Sequence, residues 1–309
     1  MKLNYLLFAF LIAILIVEKT FGQEEKSISQ SAIATLHLKG YPDFLVADKD
    51  GVWVTNENRV EKLVFGKPEP VLTVSMPKPC GAMAVGFKSL WVASCENHSI
   101  YRINLVSGKI EAIIQTGLAD LEGELSIAAG AGSIWLLSKK EGELSRINPN
   151  SNKVISRIKV LPESFVVVFE FGSVWITNSK NSSVQRIDPS TEKIIATISV
   201  GKTPRFLAAG LGGVWTLNQA DGTISKIDSK TNKVTSINTN LIGTGGDIAV
   251  GKKYVYVRAK STMLTVINPK TNQILSRFGP KAGSGAVRVE NGHVWITAHD
   301  ISTVWVIKE

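Results

Sequence analysis

Short runs of alternating apolar and polar residues, separated by polar turns, follow one another along most of the chain. Residues 164–200 show the pattern clearly, with the apolar run SFVVVFE followed by SVWITNS, by the alternating SSVQRID and by KIIATISV. The linking segments EFGS, NSKNSS and DPSTEK supply the Gly, Asn, Asp, Pro and Ser residues that tight turns require. The pattern predicts four consecutive antiparallel strands, called A to D below.

This four-strand unit recurs, and each copy carries an aromatic residue in its second strand. The spacings between these aromatic residues are 38, 44, 40, 40, 41 and 39. A period near 40 built from four short strands is typical of a β-propeller with one blade per repeat. The sequence therefore predicts an all-β, seven-bladed propeller with four-stranded antiparallel blades. The aligned aromatic residues, which we expect to pack between blades, are Trp53, Trp91, Trp135, Trp175, Trp215, Tyr256 and Trp295.

The two ends of the repeat region complement each other. The seventh copy stops after strand C, and Ser31–Leu38 reads as the missing strand D. We expect this N-terminal strand to complete the last blade and close the ring, which leaves no open sheet edge between the first and last blades.

The N-terminal segment predicts export. Lys2 precedes an unbroken apolar run of 12 residues, Leu6–Val17, and Thr20 and Gly22 follow it. This layout is typical of a secretory signal peptide, and the run is shorter than the roughly 20 residues of a membrane-spanning helix. We expect residues 1–22 to be a signal peptide and 23–309 to be a single propeller domain. The domain would be periplasmic or secreted, without a membrane span after cleavage; an uncleaved anchor is the alternative.

The formal charge of +9 favours acidic partners, but the basic residues are scattered and form no run of five or more. Strand C repeats a cation in five copies. Solvated strand positions are the simpler interpretation of these cations, and a belt that binds nucleic acid or another polyanion is the alternative. The five residues are Lys62, Arg102, Arg146, Arg186 and Lys226.

Cys80 and Cys95 are the only cysteines and flank strands A and B of the second copy. If the hairpin turn centres between Phe87 and Lys88, the antiparallel register places the two cysteines opposite each other. Export makes oxidation favourable. We predict a structural disulfide, with free thiols as the alternative.

The segment VWITNSKNSSVQRIDPSTEKIIATISVGKTPRFLAAG closely resembles the YVTN-type propeller repeat. The GSVW and GGVW turns also look like the streptogramin lyase branch of propellers. Both resemblances imply a seven-bladed ring. The lyase resemblance further implies Mg²⁺-assisted elimination by a His that lies 11 positions before the blade's Trp and a Glu three positions after it.

Neither lyase residue is present at the matching positions. The residues 11 positions before each aromatic are Pro42, Cys80, Glu124, Ser164, Pro204, Gly245 and Ser284, and none is His. The residues three positions after it are Asn56, Ser94, Ser138, Asn178, Asn218, Ala259 and Ala298, and none is Glu. We therefore do not expect the lyase chemistry to carry over.

The remaining expectation is a non-catalytic binding or scaffold protein that recognises a small polar ligand, a peptide or a protein partner at one mouth of the ring. We expect a monomer without a cofactor. The third copy is the irregular one, because its surplus residues fall in the loop TGLADLEGELS before strand A. The candidate mouth residues are Asp43, Asn56, Glu57, Glu124, Asn178, Arg205, Asn218, Asp247, Arg258 and His299.

An enzyme is the alternative, either a streptogramin-lyase-like lyase or a lactonase-type hydrolase. Only in that case would Mg²⁺ or Ca²⁺ be expected, because hard oxygen ligands at the mouth suit these ions. We assign no catalytic residue; His299 and Glu124 are the candidates that an enzyme would use. The repeated Asn56, Asn178 and Asn218 are equally expected to bond turn backbone.

Overall fold

The computed structural model describes residues 25–118, 124–138 and 142–309. In these ranges the chain forms seven sheets arranged as the blades of a propeller. The predicted signal segment, residues 1–22, lies outside the described residues, as do positions 119–123 of the irregular loop. None of the helices in the described ranges is long and apolar enough to cross a membrane.

The chain enters the ring through a short segment: β1 (Lys26–Ser27), α1 (Ile28–Ser31) and β2 (Ala34–His37). The strands of blades 1 to 3 are β3 (Pro42–Asp48), β4 (Gly51–Asn56), β5 (Arg59–Leu63), β6 (Leu72–Ser75), β7 (Ala84–Gly86), β8 (Ser89–Ser94), β9 (Ser99–Asn104), β10 (Ile110–Gln115), β11 (Ser126–Gly130), β12 (Ser133–Ser138), β13 (Glu143–Asn148) and β14 (Lys153–Lys159).

Blades 4 to 7 follow the same plan. Their strands are β15 (Ser164–Glu170), β16 (Ser173–Asn178), β17 (Ser183–Asp188), β18 (Lys193–Ser199), β19 (Pro204–Gly210), β20 (Gly213–Asn218), β21 (Thr223–Asp228), β22 (Val234–Asn238), β23 (Gly246–Val250), β24 (Val255–Ala259), β25 (Leu264–Ile267), β26 (Ile274–Gly279), β27 (Val287–Glu290), β28 (His293–Ala298) and β29 (Thr303–Lys308). A 3₁₀ turn, His299–Ile301, precedes the last strand.

The predicted ring closure is confirmed. Strand β2 pairs antiparallel with β29, with Ala34 opposite Val306, and so supplies strand D of blade 7. One strand was not predicted from the sequence. Strand β1 pairs in parallel with β26 and forms a fifth strand of blade 6. Between these two strands, Ile28 of α1 is fully buried in an apolar cluster shared by blades 6 and 7. The N-terminal segment therefore ties two blades together.

The predicted disulfide is also confirmed. Ala84 lies opposite Trp91 and Val85 opposite Leu90, which is the expected hairpin register. Cys80 and Cys95 are bonded, with their Cα atoms 5.9 Å apart. The bond fixes the irregular segment that precedes β7, the shortest of the inner strands.

The row of aromatic residues is buried between blades, as predicted. In blades 2 to 5 the indole N–H donates to the carbonyl five residues earlier, at the end of strand A, over 3.0–3.2 Å. This bond satisfies the one polar atom of a buried indole. Each Trp is thus locked to its own A–B hairpin.

The strand-C cations are not the solvated positions that the sequence suggested. Each lies directly across from its blade's Trp, with the charged group 4.6–5.9 Å from the indole ring. Four of them also donate to a carbonyl in the C–D turn of the next blade. These four bonds, called the clasps below, run from Arg102 to Pro149, Arg146 to Pro189, Arg186 to Ser229 and Lys226 to Pro269, over 2.6–3.1 Å.

The clasps use these cations for assembly, which argues against a polyanion-binding belt. The arginine Nε of Arg102, Arg146 and Arg186 donates to a Ser hydroxyl two positions before the Trp. Lys62 of blade 1 differs, because its ammonium pairs with Asp48 of its own blade at 2.7 Å. Charge and stacking together set the position of one blade against the next.

Removing one clasp should destabilise the ring. Arg186→Met keeps an aliphatic stem over Trp175 but loses the bonds to Ser229 and Asn232. We expect the melting temperature to fall by about 4–8 °C, because a charge-assisted hydrogen bond contributes roughly 2 kcal/mol. Arg186→Lys should recover about half of this loss, since Lys226 makes the same bond in blade 5. The exposed Lys193→Met is the control; an equal melting temperature for all variants would contradict the clasp.

Reducing the disulfide should also lower the melting temperature. The bond closes a loop with a sequence separation of 15, and a loop of this length contributes about 3 kcal/mol. We expect dithiothreitol to lower the melting temperature by about 5–10 °C in the wild type. The double variant Cys80→Ala/Cys95→Ala should melt at the lower temperature with or without the reductant.

Candidate functional site

The ring has two mouths. The D–A loops and B–C turns surround the upper mouth, and the A–B and C–D turns surround the lower mouth. All ten candidate residues lie on strands, turns or loops at or near the upper mouth.

A β-bulge at the start of strand A aims one residue into the upper mouth in three blades. The register shifts between Pro42 and Leu45, between Ser164 and Val167, and between Pro204 and Phe206. A bulge leaves extra residues unpaired and re-aims a side chain. In blades 1, 4 and 5 the bulges contain Asp43, Phe165 and Arg205.

The repeated Thr of strand B stabilises this irregular backbone. The Thr55 hydroxyl accepts from the backbone N–H of Phe44 at 3.0 Å, and Thr177 accepts from Val166 at 3.0 Å. The corresponding Thr297 accepts from the backbone of Ala286 and donates to the Asp43 carbonyl at 2.8 Å. Thr297 therefore also joins blade 7 to blade 1.

A cavity of about 410 Å³ opens at the upper mouth between blades 1 and 2. Blade 1 and the disulfide-bonded segment form its walls, and Glu124 reaches it from the loop before β11. Its lining residues are Tyr41, Asp43, Phe44, Thr55, Asn56, Glu57, Pro79, Cys80, Gly81 and Glu124. Carboxylates and aromatic side chains thus face the same space.

Asp43 is the unusual titratable group of this cavity. Burial, and then the negative charges of Glu124 and Asp247, raise the pKa of its carboxyl to about 7. In the described ranges its side chain has no hydrogen bond or ion pair. A carboxylate in this state would gain a favourable interaction from any cation that enters the cavity.

One cation–aromatic arrangement borders the mouth. The Arg205 guanidinium lies 3.9 Å from the Phe165 ring centroid, and its Nη2 is 3.6 Å from Glu124 Oε2. The positive charge of Arg205 is therefore shared between an acidic and an aromatic neighbour. This leaves the Asp43 side of the cavity net acidic.

Tyr41, which lines the cavity, stacks on the ring of His299. Tyr41 and His299 have ring centroids 4.1 Å apart and planes inclined by 23°, and the Tyr41 hydroxyl is 3.2 Å from His299 Nε2. Burial lowers the pKa of His299, partly offset by Asp300. Its buried Nδ1 has no hydrogen-bond partner in the described part of the chain. Asp300 accepts instead from the Gly283 backbone at 2.8 Å.

Two expected mouth residues hold blades 6 and 7 together. Asp247 is buried, forms an ion pair with Arg288, and accepts from the Val287 backbone at 3.1 Å. Burial raises the pKa of Asp247, and Arg288 opposes that effect. Arg258 is fully buried and donates to the carbonyls of Thr297, Ala259 and Gly283 over 2.6–3.2 Å.

Arg258 therefore does not present its charge at the open mouth, contrary to expectation. Burial lowers its pKa to about 10, which leaves it protonated at neutral pH. Its guanidinium instead binds backbone carbonyls of blade 6 and of the segment that leads into blade 7.

The three repeated asparagines are buried, and their side-chain amides donate hydrogen bonds to nearby loop and strand groups. Asn56 Nδ2 donates to the Lys39 carbonyl at 3.0 Å and to Glu61 at 2.7 Å. Asn178 donates to the Pro162 carbonyl at 2.7 Å, and Asn218 to Ser225 at 2.8 Å. Of the three, Asn56 alone lines the cavity.

The structure thus gathers Asp43, Asn56, Glu57 and Glu124 at one cavity, with Arg205 and His299 one contact away. Asn178, Asn218 and Arg258 lie in the supporting framework. Tyr41 and Phe44 were not predicted from the sequence; Phe44 shares the first bulge with Asp43, and Tyr41 directly precedes β3. Within the described ranges, no group of three His, Cys, Asp or Glu side chains is arranged to hold a metal ion.

Comparison with known proteins defines the class of fold. No protein-family model matches the chain, so the YVTN-type assignment has no support from that source, and no curated protein matches it either. A solved streptogramin B lyase is similar with a TM-score of 0.75 and 16% identity, over 89% of this chain and 97% of that one. Virginiamycin B lyase from Staphylococcus aureus gives a TM-score of 0.73 and 16% identity, over 89% and 98%.

Propellers of other kinds are equally similar in shape. The RRP9 WD40 repeats align with a TM-score of 0.76 and 10% identity, over 93% of this chain and 99% of that one. At these identities the likeness shows the fold alone. The chain is a seven-bladed β-propeller with streptogramin lyase-like structural neighbours.

Asp43 should make stability depend on pH. The folded state holds its proton up to about pH 7, whereas an unfolded Asp loses it near pH 4, so stability falls as pH rises between these values and is level above. Asp43→Asn removes this loss. We expect the variant to melt roughly 8–16 °C above the wild type at pH 8, because three pKa units correspond to about 4 kcal/mol, and to match it at about pH 4. The exposed Glu69→Gln should change neither; an equal offset at both pH values would contradict the assignment.

Proposed function

We propose that this protein is an exported binding protein that holds a small polar ligand or a peptide at its upper mouth. The single observation that carries the proposal is the Asp43 carboxyl, which has a pKa of about 7, faces a cavity beside Tyr41 and forms no ion pair with a described residue. A strongly perturbed group of this kind, in a cavity, is typical of a functional site.

The charge of the cavity favours a ligand with a cationic group. Three carboxylates, on Asp43, Glu57 and Glu124, line it. Glu57 and Glu124 lie 3.7 and 3.6 Å from the guanidinium groups of Arg59 and Arg205, so Asp43 is the one of the three without an ion pair to a described residue. An ammonium or guanidinium group beside Asp43 would restore the ordinary pKa of that carboxyl, and the regained free energy would appear as affinity. The Tyr41 ring offers an aromatic face for such a cation.

Lyase chemistry receives less support, although the structural neighbours include lyases. In blade 7 the two lyase positions hold Ser284 and Ala298. Ser284 accepts from the Gly246 backbone at 3.1 Å, and Ala298 is buried. Neither side chain is a general base at neutral pH. A lyase or lactonase-type hydrolase would have to use His299 or Glu124 instead.

Export is supported by two features. The N-terminal apolar run of 12 residues suits a signal peptide. The disulfide between Cys80 and Cys95 suits an oxidising compartment such as the periplasm or the extracellular space.

Matched peptides test the cationic specificity. We expect calorimetric titration with acetylated, amidated Gly-Lys-Gly to give a dissociation constant at least tenfold lower than with Gly-Gln-Gly or Gly-Glu-Gly. Binding should strengthen from pH 6 to pH 8 as Asp43 ionises. Asp43→Asn should abolish the preference, whereas Glu69→Gln should keep it. A preference that persists in Asp43→Asn, or no preference at all, would overturn the proposal.

Quinupristin tests the enzyme alternative. We expect no ring opening by mass spectrometry when this type B streptogramin is incubated with the protein and Mg²⁺. Opening by the wild type that is lost in His299→Ala or Glu124→Ala would replace the binding proposal with an enzymatic one.

A further inference from the structure

The lower mouth carries a second, independent set of unusual residues, at the tips of its A–B turns. Several of these turns have two residues, both with positive φ. The seventh turn is Asn291–Gly292, with φ of 48° and 74°, which is the residue pair such a turn prefers. Positive φ is unfavourable for bulky side chains.

Three other turns place a bulky apolar residue at the same first position. Phe87, Phe171 and Leu211 have φ of 54°, 51° and 52°. Their exposed fractions are 39%, 36% and 41%, so each residue presents part of its surface to solvent at the tip of its turn. Three apolar side chains at equivalent turn tips on one face of the ring are available for a contact outside the chain when a complementary charged surface lies beside them.

A basic groove lies beside the Leu211 tip. Its volume is about 500 Å³, and its lining includes Leu211, Tyr254, Lys252, Lys253 and Lys270. These lysines are exposed and form no ion pair with any described residue. The lysine groove, as we call it, therefore has free positive charge next to an apolar tip.

Further charge lies on the same side of the ring. The C–D turn of blade 5 adds the exposed Lys230 and Lys233. The acidic groups nearby are fewer: Asp228 caps that turn by accepting from the Lys230 backbone, and Glu309 accepts from the Lys253 backbone at 3.0 Å. Glu290 also feels the charge of Lys252. The blade 5–6 sector of the lower mouth remains positive.

We propose that this face binds the surface of an anionic lipid bilayer. Phe171 and Leu211 would enter the boundary between head groups and acyl chains, and the lysine groove would bind lipid phosphates. A nucleic acid or another polyanion would engage the lysines but would leave the apolar tips in water, so the tips favour the bilayer. This orientation turns the upper mouth away from the membrane, where a ligand can reach it.

Vesicle co-sedimentation tests the proposal with variants that keep the fold. In Phe171→Asn/Leu211→Asn each tip receives the residue that the seventh turn already uses, so thermal stability should be kept or raised. We expect wild-type protein to bind vesicles of 30% phosphatidylglycerol in phosphatidylcholine at least tenfold more strongly than pure phosphatidylcholine. The tip variant should lose about tenfold of that binding, and Ile242→Asn, at the upper mouth, should lose none.

Lysine variants form the second part of the vesicle experiment. Each lysine near an anionic surface contributes about fivefold in binding, so Lys252→Gln/Lys270→Gln should lose roughly 10- to 30-fold, and 0.5 M NaCl should weaken the wild type. Heparin is the matched polyanion. Equal vesicle binding by the wild type and the tip variant, heparin binding without vesicle binding, or no binding to either would overturn the proposal.

Discussion

The structure depends on a cation held between a tryptophan and the neighbouring blade. In each clasp the charged group stacks on a buried indole and donates to a carbonyl of the next C–D turn. A charged donor binds such a carbonyl more strongly than a neutral one would. Because the same Trp is locked to its own hairpin, one side chain fixes the angle between two sheets.

Much of this fold could be predicted from the sequence, because blade architecture is local. Strand period, turn residues and the spacing of the Trp row are short-range features, and so is the register that joins Cys80 to Cys95. The clasps could not be predicted in the same way. Arg186 reaches a turn 43 positions further along the chain, and a cation before Ile in an alternating strand looks like any solvated position.

The candidate site was predictable only in outline, for a related reason. A repeat shows which polar residues fall at the mouth and which copy is irregular; the first signal found Asp43 and Arg205, and the second found Glu124. A repeat does not show which polar side chains are buried and bonded to the backbone, because the burial of each depends on loops from two blades. Arg258 and Asn178 illustrate the point, since both lie near the mouth in sequence order but are enclosed by backbone carbonyls. The contribution of Tyr41 could not be predicted from the sequence, because its ring stacks on His299 of blade 7.

The clasps are not distributed evenly around the ring, so different kinds of contact hold different pairs of neighbouring blades together. The clasps connect blades 2 to 6 in succession, and the N-terminal segment connects blade 6 to blade 7. Between the described strands of blades 1 and 2 no hydrogen bond crosses, and apolar packing around Trp53 and Leu90 holds them. This seam therefore depends on non-directional apolar contacts, whereas directional polar bonds join the blades on the clasped side of the ring. The cavity that contains Asp43 lies at the same seam, so a bound ligand would contact both of the blades that meet there.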